Sequence, residues 1–369
     1  MAEKKNILFI LHVPPPVHGS SMVGKAIKES TLINQSFHCR YVNLLMSRTI
    51  TETGKPGFLK VFRFVGVWFR VLGEIIRKKP DLCYLALTAT GTAFYKDVFL
   101  VLLLRIFHIK RVYHLHNKGI RQNQTKKINE LLYRFVFHNA DVILLSKQLY
   151  YEVETFVPVS NVHICPNGIK DLPGNIIQRL RQPGKPVKIL FLSNLNESKG
   201  VYILLKACFL LQAKGVDFQC DFVGGEGDIN KEQFHKRVIE YNLNKRINYI
   251  GQLYEEAKHK AFAEADIFAF PTCYETFGLV NLEAMQNQLP VVSTMEGGIP
   301  DVVGNGFTGF LIPTNNAEAL AEKLENLIKN PELREKMGKA GRKKYEKEFT
   351  LEIFEENLNI ILQQVTGQQ

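Results

Sequence analysis

One pattern, repeated twice, constrains this chain most: short, continuously apolar runs separated by stretches of helical length. In the first half the runs are KNILFILHV, DLCYLAL, RVYHLHN, DVILLS and VHICP, and each but the last leads into a helix-like stretch. In the second half they are VKILFLSN, FQCDFVGG, INYIGQ, ADIFAFP, LPVVST and GFLIP. A strand that is apolar along its length is buried on both faces, and alternating helices supply the cover. The expectation is an α/β chain of two doubly wound, Rossmann-like domains with parallel sheets. At 369 residues the chain exceeds one ordinary core. Between the two series, residues 171–186 (DLPGNIIQRLRQPGKP) hold three prolines and two glycines around a charged middle, the composition of a linker. The boundaries read from this are 1–170, a linker at 171–186, 187–348, and a C-terminal helix at 349–369 that packs back on the first domain.

Composition narrows the classes. Hydrophobic residues are 46% and charged residues 22%, the balance of a soluble globular protein. The N-terminal MAEKKNILFILHV lacks a small-residue cleavage site and ends at Pro14, Pro15 and Pro16, so it reads as a buried first strand rather than a signal peptide. The apolar stretch Val98 to Leu104 stops at Arg105, short of the ~20 residues a membrane span needs. Six cysteines lie scattered without a close pair, which argues against a zinc knuckle or disulfide scaffold and for core residues in a reducing cytoplasm. Charge is lopsided: residues 1–170 hold 24 Lys and Arg against 10 Asp and Glu, while the whole chain is +11. An anionic partner of the first half is implied.

The chemistry concentrates in PTCYETFGLVNLEAMQNQLPVVST. A strand ends at Pro271, a polar turn carries Glu275, and Thr276-Phe277-Gly278 leads into a helix from Leu279 to Gln286. Unpaired amides at a helix start, with Gly278 permitting close approach, suit a diphosphate. Glu283, about two turns beyond Glu275, can turn back toward the same place, where a carboxylate suits paired sugar hydroxyls. Taken alone, the two acids read better as a helix-start acid and a solvated helix acid than as a site.

Their neighbours decide it. The stretch resembles the signature of glycosyltransferase family 4, a retaining family with the GT-B fold: a Glu, seven residues, a second Glu, preceded by a strand ending in Pro-Ser/Thr. The Asn167-Gly168 turn, FLSNLNESKG, VGGEG, YIGQL, ADIFAFPT and GGIPDVV…GFTGFLIP follow the family's order. The first half matches more loosely, through PPPVHGSS and HLHN. The resemblance implies two Rossmann-like domains facing across a cleft, the first on the acceptor side and the second binding a nucleotide sugar. It implies that Glu275 contacts the donor sugar, the amides of Thr276, Phe277, Gly278 and Leu279 its distal phosphate, and Glu283 the ribose. Lys199 fits the family's cation on the leaving diphosphate, where charge grows in the transition state. Asn194 stands where the family usually has an Arg, and offers neither charge nor a bidentate fork.

Near the N-terminus, Gly19 and Ser20 lie in the family's Gly-rich loop approaching donor phosphate and acceptor, with His18 where a first glycine is usual. Of His114 and His116, which share one face of a strand, His116 fits the family's histidine near the anomeric carbon. No carboxylate or cysteine completes a metal set with them and no Asp-x-Asp motif lies in a suitable loop, so neither metal nor other cofactor is expected.

The function expected is transfer of a sugar from a UDP- or GDP-sugar to an acceptor hydroxyl with retention, in glycan or polysaccharide biosynthesis, with a glycan or lipid-linked acceptor. From Phe58 to Lys79 the charges Lys60, Arg63, Arg70, Glu74 and Arg77 form one stripe on an apolar helix. That fits a core helix with one wet edge, or an interfacial helix meeting anionic lipid at the inner face of a membrane. Two alternatives stand: a nucleotide-sugar 2-epimerase of the same architecture, which would need no acceptor, and a catalytically silent partner subunit holding nucleotide or glycan. A nicotinamide dehydrogenase is disfavoured because no G-x-G-x-x-G follows the first strand. No nucleic-acid motif accompanies the basic half.

Overall fold

The computed structural model describes residues 3–15, 19–44, 58–171 and 185–367, with the backbone alone for 58–61. His18 and nearly all of the expected linker lie outside the described residues. The chain divides into two compact units, Met1–Gly168 with Leu351–Gln369, and Ile169–Thr350.

The first unit runs β1 (Asn6–Leu11), α1 (Gly19–Glu29), α2 (Thr31–Ser36), β2 (His38–Asn43), α3 (Phe58–Arg77), β3 (Leu82–Leu85), α4 (Gly91–Ile106), β4 (Lys110–Leu115), α5 (Ile120–Asn123), α6 (Lys127–Phe137), β5 (Asp141–Leu144) and β6 (Val162–Ile164). Its strands form one parallel sheet in the order β2-β1-β3-β4-β5-β6. The central β1 and β3 are buried on both sides, as their unbroken apolar runs required. Right-handed crossovers put α3, α4 and α6 on one face and α1 with α2 on the other.

The second unit runs β7 (Val187–Leu192), α7 (Val201–Ala213), β8 (Phe218–Val223), α8 (Lys231–Glu240), β9 (Ile247–Gly251), α9 (Glu255–Glu264), β10 (Ile267–Phe270), α10 (Leu279–Gln286), β11 (Val291–Thr294), α11 (Ile299–Val302), β12 (Gly309–Ile312), α12 (Ala317–Lys329) and α13 (Pro331–Glu348). Its sheet is also parallel, in the order β12-β11-β10-β7-β8-β9. Strand order reverses between β7 and β10, and ligands of open α/β sheets bind beyond the carboxyl ends of strands at such a point. The last helix, α14 (Leu351–Thr366), returns to the first unit. There its Phe354, Leu358 and Leu362 join Phe9, Leu11 and Ile27 in one buried cluster, and Glu355 accepts from the Ser30 hydroxyl at 2.7 Å.

Three details differ from the expectations. The edge strand β2 was not foreseen: HCRYVN has one fully buried position, Val42, and so no apolar run. Of the six free cysteines four are buried, while Cys273 is half-buried and Cys39, also half-buried, packs at the margin of the first unit's core. Helix α3 does not show water only a charged edge. It buries Val67, Val71 and Ile75, Glu74 pairs with Arg40 at 2.8 Å, and Phe62, Phe69 and Ile76 face outward.

Candidate active site

The loops that leave β7 and β10 meet at the strand-order reversal of the second unit. After β7 the chain makes a single 3-10 turn, Glu197–Lys199, and enters α7 through Gly200. Gly200 has φ +83°, and a Cβ there would stand 2.1 Å from the Pro271 carbonyl oxygen. Only glycine lets the two loops come this close. They are then joined by hydrogen bonds: the Ser198 carbonyl accepts from the Cys273 amide at 2.7 Å and the Thr272 hydroxyl at 3.1 Å.

This seam delivers Lys199 to Glu275. The ammonium donates to Glu275 Oε2 at 2.9 Å and to the Tyr274 carbonyl at 3.0 Å. The other carboxylate oxygen, Oε1, accepts from the amides of Thr276 at 2.9 Å and Phe277 at 3.4 Å. Two of the four amides expected to be unpaired are therefore held by Glu275 itself. A cation and converging N–H groups around one carboxylate make an anion cradle whose present anion is the protein's own side chain. Gly278, at φ +81°, is the N-cap of α10 and has no side chain to cap it; the Asn281 amide donates to its carbonyl at 2.9 Å, which leaves the amides of Leu279 and Val280 at the helix's positive end. Phe277 contributes only its backbone here, because its ring is buried against Phe349, with centroids 6.1 Å apart.

Glu283 does not join this cluster. It lies one turn inside α10, where its Oε1 accepts from Lys258 of α9 at 2.6 Å and its Oε2 is buried with no hydrogen-bond partner. Lys258 was not foreseen, because a lysine in the polar segment EEAKHK looks like any surface lysine. Asn281 was also missed. It is fully buried on the first turn of α10, both its amide atoms lack partners, and its Nδ2 fills the place of a Gly278 Cβ, 2.6 Å from that position. Asn194 is exposed, and its side-chain oxygen accepts from the Gly225 amide at 3.1 Å, tying the β7 loop to the β8 loop. It is at least a latch between loops, and the charge of an arginine is missing there.

In the first unit, α1 begins at Gly19 and Ser20, beyond β1 and beside that sheet's own reversal between β1 and β3. His116 follows the end of β4, one strand away. Its ring lies 4.1 Å from that of His114, which is buried and shares a 2.6 Å hydrogen bond with the Tyr84 hydroxyl. Burial, and then the neighbouring His116, push His114 well below the usual histidine range, so it stays neutral. Among the described residues no cluster of three or more His, Cys, Asp or Glu is placed to hold a metal ion.

The two-sheet architecture is that of solved GT-B proteins. The sucrose-phosphate synthase of Thermosynechococcus elongatus superposes with a TM-score of 0.77 at 20% identity, covering 99% of this chain and 100% of that one. Anabaena HepE, solved in complex with UDP, gives 0.74 at 18%, covering 98% and 100%. At such identities the likeness is one of fold, and the fold class is GT-B. Residues 174–344 match the family described as "Glycosyl transferases group 1". The match takes in most of the second unit, a little under half of the chain, and makes that segment similar to a glycosyltransferase domain. It is 26% identical to the amylovoran biosynthesis glycosyltransferase AmsK of Erwinia amylovora over 84% of this chain and 79% of that protein. It is also 29% identical to the capsular polysaccharide biosynthesis glycosyltransferase CapM of Staphylococcus aureus, over 46% of this chain and 43% of that protein.

Proposed function

We propose that the protein transfers a sugar from a UDP- or GDP-sugar to an acceptor hydroxyl with retained anomeric configuration, in the building of a polysaccharide or cell-surface glycan on a lipid-linked acceptor. The observation that carries the reading is the Lys199–Glu275 cradle at the strand-order reversal, with the start of α10 beside it. The donor diphosphate takes the place of the Glu275 carboxylate against Lys199 and the Thr276 and Phe277 amides. Gly278 and Leu279 then approach the same phosphate through their backbone. Displaced from the cradle, Glu275 turns to the sugar, while Glu283, held by Lys258, keeps Oε2 for the ribose. As the bond from the anomeric carbon to phosphate breaks, its electron pair leaves on the diphosphate, and Lys199 stabilises that charge more in the transition state than before it. The acceptor oxygen forms the new bond to the anomeric carbon as its proton passes to the departing diphosphate oxygen. By the family resemblance Gly19, Ser20 and His116 are assigned to the sugar and acceptor, and Asn194 donates one hydrogen bond toward the phosphates. Protein cations and amides do the neutralising, so no metal takes part.

What supports the donor class is the kind of ligand in related folds: HepE was solved with UDP, and also with UDP-glucose. The product class rests on the relatives' names, which speak of amylovoran and capsular polysaccharide.

The test is sugar transfer from a panel of UDP- and GDP-sugars to lipid extracts, in buffer containing EDTA. Lys199→Ala should reduce transfer by about 10²–10³-fold, the loss typical of one transition-state donor, and Glu275→Ala by a comparable factor through the lost sugar contact, without altering the melting curve by more than a few degrees. Wild-type rates in both variants would sink the assignment. Turnover of donor without acceptor would instead favour the epimerase, and binding without turnover the silent partner subunit.

A further inference from the structure

The α3, α4 and α6 layer of the first unit is continuous. Phe64 of α3 meets Phe99 of α4 with ring centroids 6.4 Å apart, and Lys96 of α4 stands 5.9 Å from the Phe64 ring. The Arg105 guanidinium of α4 lies 4.3 Å from the Phe135 ring of α6 and donates to that residue's carbonyl at 2.7 Å. The outward side of a helix layer is polar when it faces water. Here α3 turns out Phe62, Val65, Phe69 and Ile76, α4 turns out Phe99, Leu102 and Ile106, and α6 turns out Ile128 and Leu131. Each is between 43% and 68% exposed. In the second unit the exposed large apolar residues are scattered, with Phe209 on α7, Ile239 on α8 and Ile250 on β9. A contiguous apolar face of this kind marks an interaction surface.

Its charges say what it meets. The acids of the three helices are spent: Glu74 is paired with Arg40 at 2.8 Å, Glu130 with Arg134 at 2.8 Å, and Asp97 is buried. Arg70 and Arg77 are exposed on α3, on the same side as Phe69 and Ile76, and Lys78, Lys79 and Lys127 extend the cationic margin. A second copy packed about a two-fold axis would set this cationic face against itself. A surface of negative headgroups over acyl chains complements both properties.

We propose that the outward side of α3, α4 and α6 docks on an anionic lipid bilayer. The phenylalanines and isoleucines enter the boundary between headgroups and acyl chains, and the arginines and lysines hold the headgroups with their stems on the apolar layer. The unit lies on the membrane rather than across it; no described helix is long and apolar enough to cross. Taken with the transferase reading, on which only this sentence rests, docking holds the enzyme at the plane where a lipid-linked acceptor presents its hydroxyl.

The test is flotation of the full chain with vesicles of phosphatidylcholine alone or mixed with phosphatidylglycerol, at low and high salt. The wild type should float with the phosphatidylglycerol vesicles. Phe69→Glu with Ile76→Glu should cut that binding at least tenfold even at low salt. Arg70→Gln and Arg77→Gln should each weaken it about fivefold and flatten its salt dependence. All four positions are exposed, and circular dichroism with retained nucleotide binding verifies that each variant is folded. A wild type that ignores both vesicle types at low salt overturns the proposal. So does a wild-type dimer that the Phe69→Glu, Ile76→Glu variant dissociates, since the face would then belong to a second copy. Failed flotation with intact sugar transfer refutes this surface and leaves the transferase reading standing; the converse result does the opposite.

Discussion

Replacing Gly200 by alanine probes the seam that brings Lys199 to Glu275. The glycine sits at φ +83°, where a Cβ costs about 1–2 kcal/mol. The new methyl would also stand 2.1 Å from the Pro271 carbonyl oxygen and 2.6 Å from its carbon. Neither atom belongs to a flexible side chain, so the loops must part, an overpacking cost of roughly 1–3 kcal/mol. The total is about 2–5 kcal/mol, which for a unit of this size lowers the melting temperature by roughly 4–20 °C. Gly215 is the control. Its φ is +71° with nothing within 4 Å of a Cβ, so Gly215→Ala loses only the backbone term, about 1–2 kcal/mol or roughly 2–8 °C. Activity separates the two further, because parting the loops moves Lys199 away from the cradle, and a misplacement near 1 Å can cost about 10²-fold in rate. Scanning calorimetry and transfer assays on both variants decide the matter. If Gly200→Ala melts and works like Gly215→Ala, the loop contact is not what positions Lys199.

Lys258→Met should raise the KM for donor about tenfold with little change in kcat, because a ribose contact held equally in ground and transition states is uniform binding; steady-state kinetics show it, and an unchanged KM removes Lys258 from the site. Asp97 is fully buried, and that burial holds its carboxyl up at about 6, only partly offset by Lys96 and the Thr88 amide. The folded state therefore keeps this proton after the unfolded chain has lost it, so the contribution of Asp97 to stability falls as pH rises from about 4 to 6 and is flat above. Urea unfolding at pH 4 and 7.5 should show Asp97→Asn gaining roughly 3 kcal/mol on the wild type across that interval; parallel curves would contradict the buried carboxyl.

Among the described residues eleven of the twelve strands were legible as apolar runs, most of them because parallel strands covered on both faces carry no polar alternation to hide them; β8 and β9 alternate between buried and more open positions and were still read from their apolar residues. The edge strand β2 carries His38, Arg40 and Asn43 and was invisible for the same reason. The pairing of Lys199 with Glu275 was legible as membership in one site, but Glu275 sitting in the cradle was not. That depends on which rotamer satisfies the Thr276 and Phe277 amides, and residue spacing says nothing of it. Lys258 and Asn281 escaped because their importance comes from what they are packed against. On α3 the charged stripe was plain in the sequence, but it fitted both a core helix with one wet edge and an interfacial helix. One sheet face can bury only the stripe of Val67, Val71 and Ile75, which leaves Phe62, Phe69 and Ile76 outside.

The central claim is that the loops after β7 and β10 form a nucleoside-diphosphate site cradled by Lys199. Isothermal titration of UDP and GDP into the wild type and Lys199→Ala, with EDTA present, tests it most directly. The account predicts that one nucleotide binds the wild type, and that the Lys199→Ala variant loses at least tenfold in affinity while Lys206→Ala, whose exposed lysine pairs with Glu318 on the outer surface, binds as before. Absence of binding by both nucleotides, or equal affinity in the wild type and Lys199→Ala, would contradict it.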